Sequence, residues 1–305
     1  MNPELEKQIY EIDPVFFRQK GLDMTQTCMC WGIECGDGWF KPIKEFVTKV
    51  KILNEILKPV NFCIVASQIK SKWADFTCYW NIDVLDDKVQ NNDDSEALVD
   101  AVYEMMTDAA NSCEEKCSHT CEICGKYDSW EESGEIIECG SWLTVKCLAC
   151  AQKRQREEGK ITNFRDGFLF LSPFVKEPVI IDGKCFPTVI GAHYGTLYPE
   201  HEGTFIELKT PSEVQAVAMN NGLCSDDEKA FENMRNVLRI RYREGKSRER
   251  LISTEGLEIV QSNHNHENKW GSCWCKDCNG KGENHYGKIL MEIRDEILKE
   301  QKAEQ

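Results

Sequence analysis

Along residues 41–57, Ile43, Phe46, Val47, Val50, Leu53 and Ile56 recur at helical spacing, which predicts an amphipathic helix. The pattern then changes period. Residues 60–67 are apolar and β-prone, and 73–84 carry aromatic and branched side chains, so both are expected as strands. The acidic stretch 86–94 reads as a loop, and Ser95 is placed to cap a helix through Ala110 with Leu98, Val102 and Met106 inward. A basic helix is expected over about 145–159, and 159–162 is a natural break. Beyond it, 168–187 is extended and turn-rich, with Asp182-Gly183 a hairpin signal between Val179-Ile180-Ile181 and Cys185-Phe186. Three helices follow. Thr210-Pro211-Ser212-Glu213 joins a capping box to proline at the first helical position. Ser225-Asp226-Asp227-Glu228 opens another helix, through about Tyr242, and 287–302 sets Ile289, Leu290, Ile293 and Ile297 on one face. The expected fold class is α+β in two domains: residues 1–159 α/β, residues 160–305 mainly helical.

Composition narrows the setting. The chain has 305 residues, long enough for two cores, and 41% hydrophobic with 29% charged residues is globular. No apolar run is long enough to span a bilayer. Met1-Asn2-Pro3-Glu4 is neither basic nor followed by an apolar core, so a cytoplasmic location is expected. In a reducing compartment, 17 cysteines point to metal ligands rather than disulfides. The net charge of −15 is concentrated in residues 1–150, which hold 27 acidic and 14 basic residues. Such a chain is repelled by phosphate backbones and does not coat nucleic acid. One local exception is the run from Arg235 to Arg250, where seven basic residues face Glu244 and Glu249. It reads either as a solvated helix face or as a patch that meets phosphates.

The cysteines of the first half have ligand spacing. Cys121-Glu122-Ile123-Cys124 and Cys147-Leu148-Ala149-Cys150 are two Cys-x-x-Cys turns, with Gly125 relieving the first sterically. Two such turns supply the tetrahedral sulfur set that Zn²⁺ prefers, closed to water and therefore structural. Cys113, Cys117 and His119 are alternative donors or a second site. Cys28, Cys30 and Cys35 match no ligand pattern and are expected as small core residues. Asp37-Gly38-Trp39-Phe40 reads as a turn whose tryptophan is either a core residue or an aromatic platform. The segment from Cys28 to Trp39, with Gln68-Ile69-Lys70 and the double knuckle, resembles a module common in proteins of tailed bacteriophages, covering residues 1–155. That resemblance implies a viral setting, the host cytoplasm and a host protein partner, but no chemistry.

The densest polar run lies in the second half. Gln261-Ser262-Asn263-His264-Asn265-His266-Glu267-Asn268-Lys269-Trp270-Gly271 leads to Cys273, Cys275 and Cys278, then to Gly280-Lys281-Gly282-Glu283-Asn284-His285-Tyr286-Gly287. It is too polar for a core and reads as an irregular loop against a pocket, ending at a helix N-terminus suited to phosphate. The three cysteines are candidate ligands of a second zinc, with His264, His266 or His285 available as fourth donor and His285 assigned. Filling that site fixes the loop that carries Glu267.

This run, continued through Gly287-Lys288-Ile289-Leu290-Met291-Glu292-Ile293-Arg294, resembles the NADAR family. Weaker matches upstream, including Phe168-Leu169-Phe170-Leu171-Ser172 and Asp182 to Val189, extend the resemblance over residues 163–302. It implies a mainly helical N-glycosidase acting on an ADP-ribose-like or ribosylated nucleotide ligand, including ADP-ribosylated guanine in modified DNA. On the matching positions it implies Glu267 as the catalytic acid, standing where the family has aspartate. Trp270, Gly271, Asn284, Asn263, Arg294 and Gly287 are implied as ligand-binding residues. The departures are specific. Ile190 and Gln261 stand where the family has glutamates, and Pro173 where it has asparagine. The alternatives are therefore an active hydrolase, possessing Glu267 as its surviving acid, a module that binds nucleotide without turnover, and a host-interaction adaptor that uses both halves as surfaces.

Overall fold

Two apolar layers explain the first half of the chain. The computed structural model describes residues 1–86, 95–128, 136–139, 143–223 and 226–304. The acidic stretch 87–94 and Ser225 lie outside them. The chain divides into two units, Met1–Ala151 and Gln152–Gln305, in a mixed α+β architecture. The expected break was at 159/160; the observed one falls within a helix. The reason is local. Gln152 donates from Nε2 to the Gly167 carbonyl (2.7 Å), and Arg156 donates from Nη1 to the Ser253 carbonyl (2.9 Å), so these side chains belong with the second unit.

In the first unit, helix α1 (Pro3–Tyr10) precedes the short strand β1 (Ile33–Glu34) and helix α2 (Phe40–Leu57). Strands β2 (Phe62–Lys72) and β3 (Asp75–Val84) and helix α3 (Glu96–Ser118) follow. β2 is the central strand, parallel to β1 and antiparallel to β3, with a register shift between Ala66 and Gln68. The hairpin turns at Trp73 (φ 57°) and Ala74 (φ 72°), both left-handed, as a tight turn between right-twisted strands requires. The inward face of α2, with Ile43, Phe46, Val47, Val50 and Leu53, is buried as its period predicts. Helix α3 runs to Ser118 rather than Ala110, because Cys113 and Cys117 continue the buried line of Met106 and Ala109 as small apolar side chains. Strands β4 (Ile136–Cys139) and β5 (Thr144–Cys147) form an antiparallel hairpin. Helix α4 (Leu148–Glu157) therefore starts later than expected: 145–147 are held as strand.

The second unit is mainly helical. Strand β6 (Lys160–Ile161) is followed by the hairpin β7 (Val179–Ile181) and β8 (Lys184–Phe186), turning at Asp182 and Gly183, both of positive φ. Helices α5 (Val189–Leu197), α6 (Glu202–Glu207), α7 (Pro211–Asn220), α8 (Glu228–Arg241) and α9 (Gly245–Ile252) come next. Thr210 caps α7 in a complete capping box, whereas α8 is capped by Asp227, whose side chain accepts from Ala230 N. Strands β9 (Glu258–Ile259), β10 (Ser262–Asn263) and β11 (Ser272–Cys273) precede the last helix, α10 (His285–Glu304). β6 pairs in parallel with β9, and β10 with β11. The buried core joins Phe168, Phe186, Val189, Phe205, Met234 and Leu290. Along the basic run, Arg235 pairs with Glu232 and Glu292, Arg239 with Glu296, and Arg241 with Glu177. Arg235 and Arg239 form an ion-paired helix surface rather than open anion ligands, while the Arg241 side chain is buried and also donates to the Phe170 carbonyl. Among the described residues no helix is long and apolar enough to cross a membrane.

Candidate functional site

The first-unit cysteines converge. Ligand atoms of Cys121, Cys124, Cys147 and Cys150 all lie within 4.8 Å of one another, and Cys124 Sγ stands 3.7 Å from Cys147 Sγ. The β4–β5 hairpin ends at Cys147 and delivers the second Cys-x-x-Cys turn into the start of α4. Burial pushes the Cys121 thiol up, but backbone donors from Cys147, Cys124 and Ile123 outweigh it and bring the thiol down to about 7. Such a cluster can hold a metal ion in an all-sulfur shell. It is also wired into the unit's core. The Glu122 carboxylate is buried and accepts from Gly36 N (2.9 Å) and Ser71 Oγ (3.1 Å). A Cβ on Gly38 would lie 2.0 Å from the Cys121 carbonyl oxygen, so only glycine lets this turn rest on the knuckle. Trp39 is fully buried, with Nε1 donating to the Thr120 carbonyl (2.8 Å), so it is a core residue and no platform. Cys113 and Cys117 are buried on α3 outside this cluster.

A second cluster forms in the polar run, with a corrected ligand set. His266, Cys273, Cys275 and Cys278 bring their ligand atoms within 4.8 Å of one another. His266 Nδ1 stands 3.3 Å from Cys278 Sγ and 3.5 Å from Cys275 Sγ. His285 is elsewhere: its ring stacks on Phe231 at 3.9 Å between centroids, and its Nε2 meets the Glu283 carboxylate at 2.8 Å. His266 reaches the sulfurs because its backbone is left-handed (φ 64°), a conformation set by the surrounding loop. Purified protein is expected to carry two metal ions per chain, one for each cluster. His266→Ala should reduce this to one, read by elemental analysis, while His285→Ala leaves it at two.

Next to this cluster lies a cavity of about 340 Å³ within the second unit, lined by Trp270, Glu267, Asn263, Gln261, Ile190 and His193 among others. The loop from Gln261 to Trp270 forms one wall, and Pro173 and Phe174 with residues of α5, α7, α8 and α10 supply the rest. Pro173, Ile190 and Gln261, the three departures from the NADAR pattern, all border this cavity. Trp270 packs edge-on against Phe231 (4.7 Å) and His193 (5.7 Å).

Glu267 borders the cavity, but its carboxylate is also a turn anchor. Oε1 accepts from Lys269 N and Trp270 N, and Oε2 accepts from Gly271 N, each at 2.8 Å. Asn263 steadies the same turn, donating from Nδ2 to the Glu267 carbonyl (2.6 Å).

Three expected ligand residues do other work. Asn284 does not line the cavity: it accepts from Gln261 N (3.0 Å) and donates to the Ile259 carbonyl (2.9 Å), tying α10 to the strand before the loop. Arg294 is buried and donates from Nη1 to the carbonyls of Thr254 and Leu257, both at 2.8 Å, so it braces the turn after α9. Gly287 is a packing glycine, since a Cβ there would come 2.2 Å from the Ile259 carbonyl oxygen. Nor is the start of α10 open to phosphate. The N–H groups of His285 and Tyr286 donate to the carbonyls of Lys269 and Trp270, both at 3.0 Å.

The residue missed from sequence is His193. It is fully buried on α5, lines the cavity, and has no hydrogen-bond partner at Nε2. It sits three residues after Ile190, on the same face of the helix, which was the available signal. Burial pushes its ring down to about 4 from an ordinary 6.5. Between those values the unfolded chain takes up a proton that the folded one refuses. Stability should therefore fall as pH drops from 6.5 towards 4, by up to ~3 kcal/mol, and His193→Phe should remove this part of the slope in denaturant melts.

No family model matches the sequence, and no curated protein matches it. Among solved structures the chain is similar to the NMR structure of the E. coli protein YbiA, at 20% identity and TM-score 0.38. That likeness covers 47% of this chain and 85% of YbiA.

Proposed function

We propose that the second unit hydrolyses an N-glycosidic bond in an ADP-ribosylated or ribosyl-phosphate substrate, with ADP-ribosylated guanine in DNA as the leading candidate. One observation carries this reading: the cavity beside Trp270 is bordered by the Glu267 carboxylate, on the loop that resembles the NADAR family. Cleavage breaks the C1′–N bond, its electron pair leaving on the base nitrogen. Water bonds to C1′ and its proton passes to the base. Positive charge grows on the pentose in between, and a carboxylate fixed in advance by backbone donors stabilises it without reorganising. In this proposal the two cysteine clusters hold structural zinc. The first unit contacts a macromolecular partner in the host cytoplasm, where removing ADP-ribose from DNA counters a host defence.

A second reading, a module that binds nucleotide without turnover, is favoured by a separate observation. Both Glu267 oxygens already accept backbone hydrogen bonds, and Ile190 and Gln261 bring no second carboxylate to the cavity lining. Incubating the full chain with DNA carrying ADP-ribosylated guanine separates the two. Released ADP-ribose supports hydrolysis, and a raised Tm without release supports the module. No release and no Tm shift overturns both.

A further inference from the structure

The cavity lining carries a donor and an acceptor that nothing among the described residues uses. His193 Nε2 and Gln261 Oε1 are both buried without a hydrogen-bond partner, and both residues line the cavity. Buried polar atoms are paired in nearly all native structures, so two orphans lining one cavity call for a ligand. The proton on His193 can be located. The amide nitrogen of Asn233 must face the His193 carbonyl, to which it donates at 2.8 Å, and this turns the same nitrogen towards His193 Nδ1 at 3.2 Å. A hydrogen on Nδ1 would face that NH₂ group, donor against donor, so the neutral ring carries its hydrogen on Nε2, the distal atom. No lysine or arginine is among the cavity's lining residues, whereas Glu267 is. A phosphate group there would meet an acid and no cation. The cavity's 340 Å³ also lies near the lower end, about 300 Å³, of small-molecule pockets, so it holds one nucleoside-sized group rather than a whole dinucleotide.

We propose that His193 and Gln261 are specificity-determining residues that grip the uncharged nucleoside end of the ligand, His193 Nε2–H donating to it and Gln261 Oε1 accepting from it, with any phosphates left outside the cavity. This rests on the N-glycosidase reading for the identity of the ligand, but not for the placement of its neutral end.

The test uses the full-length protein and three probes in titration calorimetry: ADP-ribose, guanosine and inorganic pyrophosphate. Wild type should bind ADP-ribose and guanosine, and pyrophosphate should not displace guanosine. His193→Phe keeps a planar ring while removing the donor, and should weaken both ligands by about tenfold or more. His193→Gln, which keeps a donor, should recover part of this, and Gln261→Leu should weaken binding in the same direction. Tm separates gripping from scaffolding. Removing an orphaned buried donor leaves Tm unchanged or raises it, since Asn233 keeps its bonds to the His193 carbonyl and Thr196 Oγ1. Three results would overturn the proposal: His193→Phe and Gln261→Leu bind like wild type, binding falls only in step with Tm, or pyrophosphate competes as strongly as guanosine. If wild type binds ADP-ribose while the variants are unaffected, this inference alone fails. If wild type binds no probe, the N-glycosidase reading fails with it.

Discussion

Cys121→Ser is expected to remove one metal ion per chain and to lower the melting temperature of the first unit by about 15 °C or more. Cys121 is fully buried, and its sulfur is one of four within 4.8 Å. A hydroxyl is a poor donor to a soft, thiolate-bound ion, so the remaining three sulfurs would hold metal far more weakly. Structural zinc is worth on the order of 10–16 kcal/mol in small domains, comparable to the whole stability of a typical domain. Here the unit also has an extensive apolar core, so losing more than about 5 kcal/mol rather than the full amount is expected. The effect should spread beyond the knuckle, because Gly36, Gly38, Trp39 and Ser71 all hydrogen-bond to Thr120 or Glu122. Elemental analysis with a thermal melt reads both quantities. Cys28→Ser, half-buried and outside both clusters, serves as control and should leave the metal content unchanged. Retained metal and an unchanged melt in Cys121→Ser would rule out a structural ion at this site.

The first metal cluster was legible because a Cys-x-x-Cys turn is a local object: two residues between thiols place both on one side whatever surrounds them. The fourth ligand of the second cluster was not legible. His264, His266 and His285 all lie within reach along the chain, and what selects His266 is a left-handed backbone that only the assembled loop imposes. Helices α2 and α10 followed from apolar periodicity, strands β2 and β3 from β-prone composition, and α7 from its capping box. Helix α5 did not, because Val189, Ile190, Gly191 and Gly195 are poor helix formers. Tertiary packing overrides their propensity. A Cβ on Gly195 would come 2.5 Å from the Phe186 ring, so the glycine is there to let the helix lie against β8. Missing α5 meant missing His193, whose place on the cavity wall depends on that helix. The loop of the second unit was recognisable as a pocket wall, but the uses of its residues were not. Asn284, Gly287 and Arg294 are polar or small for reasons of backbone satisfaction that only the folded neighbours reveal.

Glu267→Ala is expected to abolish any release of ADP-ribose, and also to lower the melting temperature of the second unit by about 5–15 °C. The carboxylate accepts three backbone hydrogen bonds, at Lys269, Trp270 and Gly271, and truncation leaves all three donors to compete for water at a half-buried turn. At roughly 1 kcal/mol for each partly exposed charge-assisted bond, the loss is about 2–4 kcal/mol. Alanine alone therefore cannot separate chemistry from scaffolding. Two further variants can. Glu267→Gln retains the length but turns an amide NH₂ towards a backbone N–H, so a donor faces a donor. Glu267→Asp keeps the charge on a shorter arm and should surrender the contact to Gly271 N first. If the negative charge stabilises the transition state, aspartate should retain more turnover than glutamine at equal thermal stability. If Glu267 only shapes the wall, turnover in all three variants should track Tm, and the glutamine and aspartate variants should fall on one line. The stability loss is expected on either outcome, because those hydrogen bonds tie Glu267 to the backbone of its own turn. Glu267 is thus both a cavity wall and the anchor of the turn that presents Trp270, and comparing the loss of turnover with the loss of Tm across these variants distinguishes a catalytic carboxylate from a purely structural one.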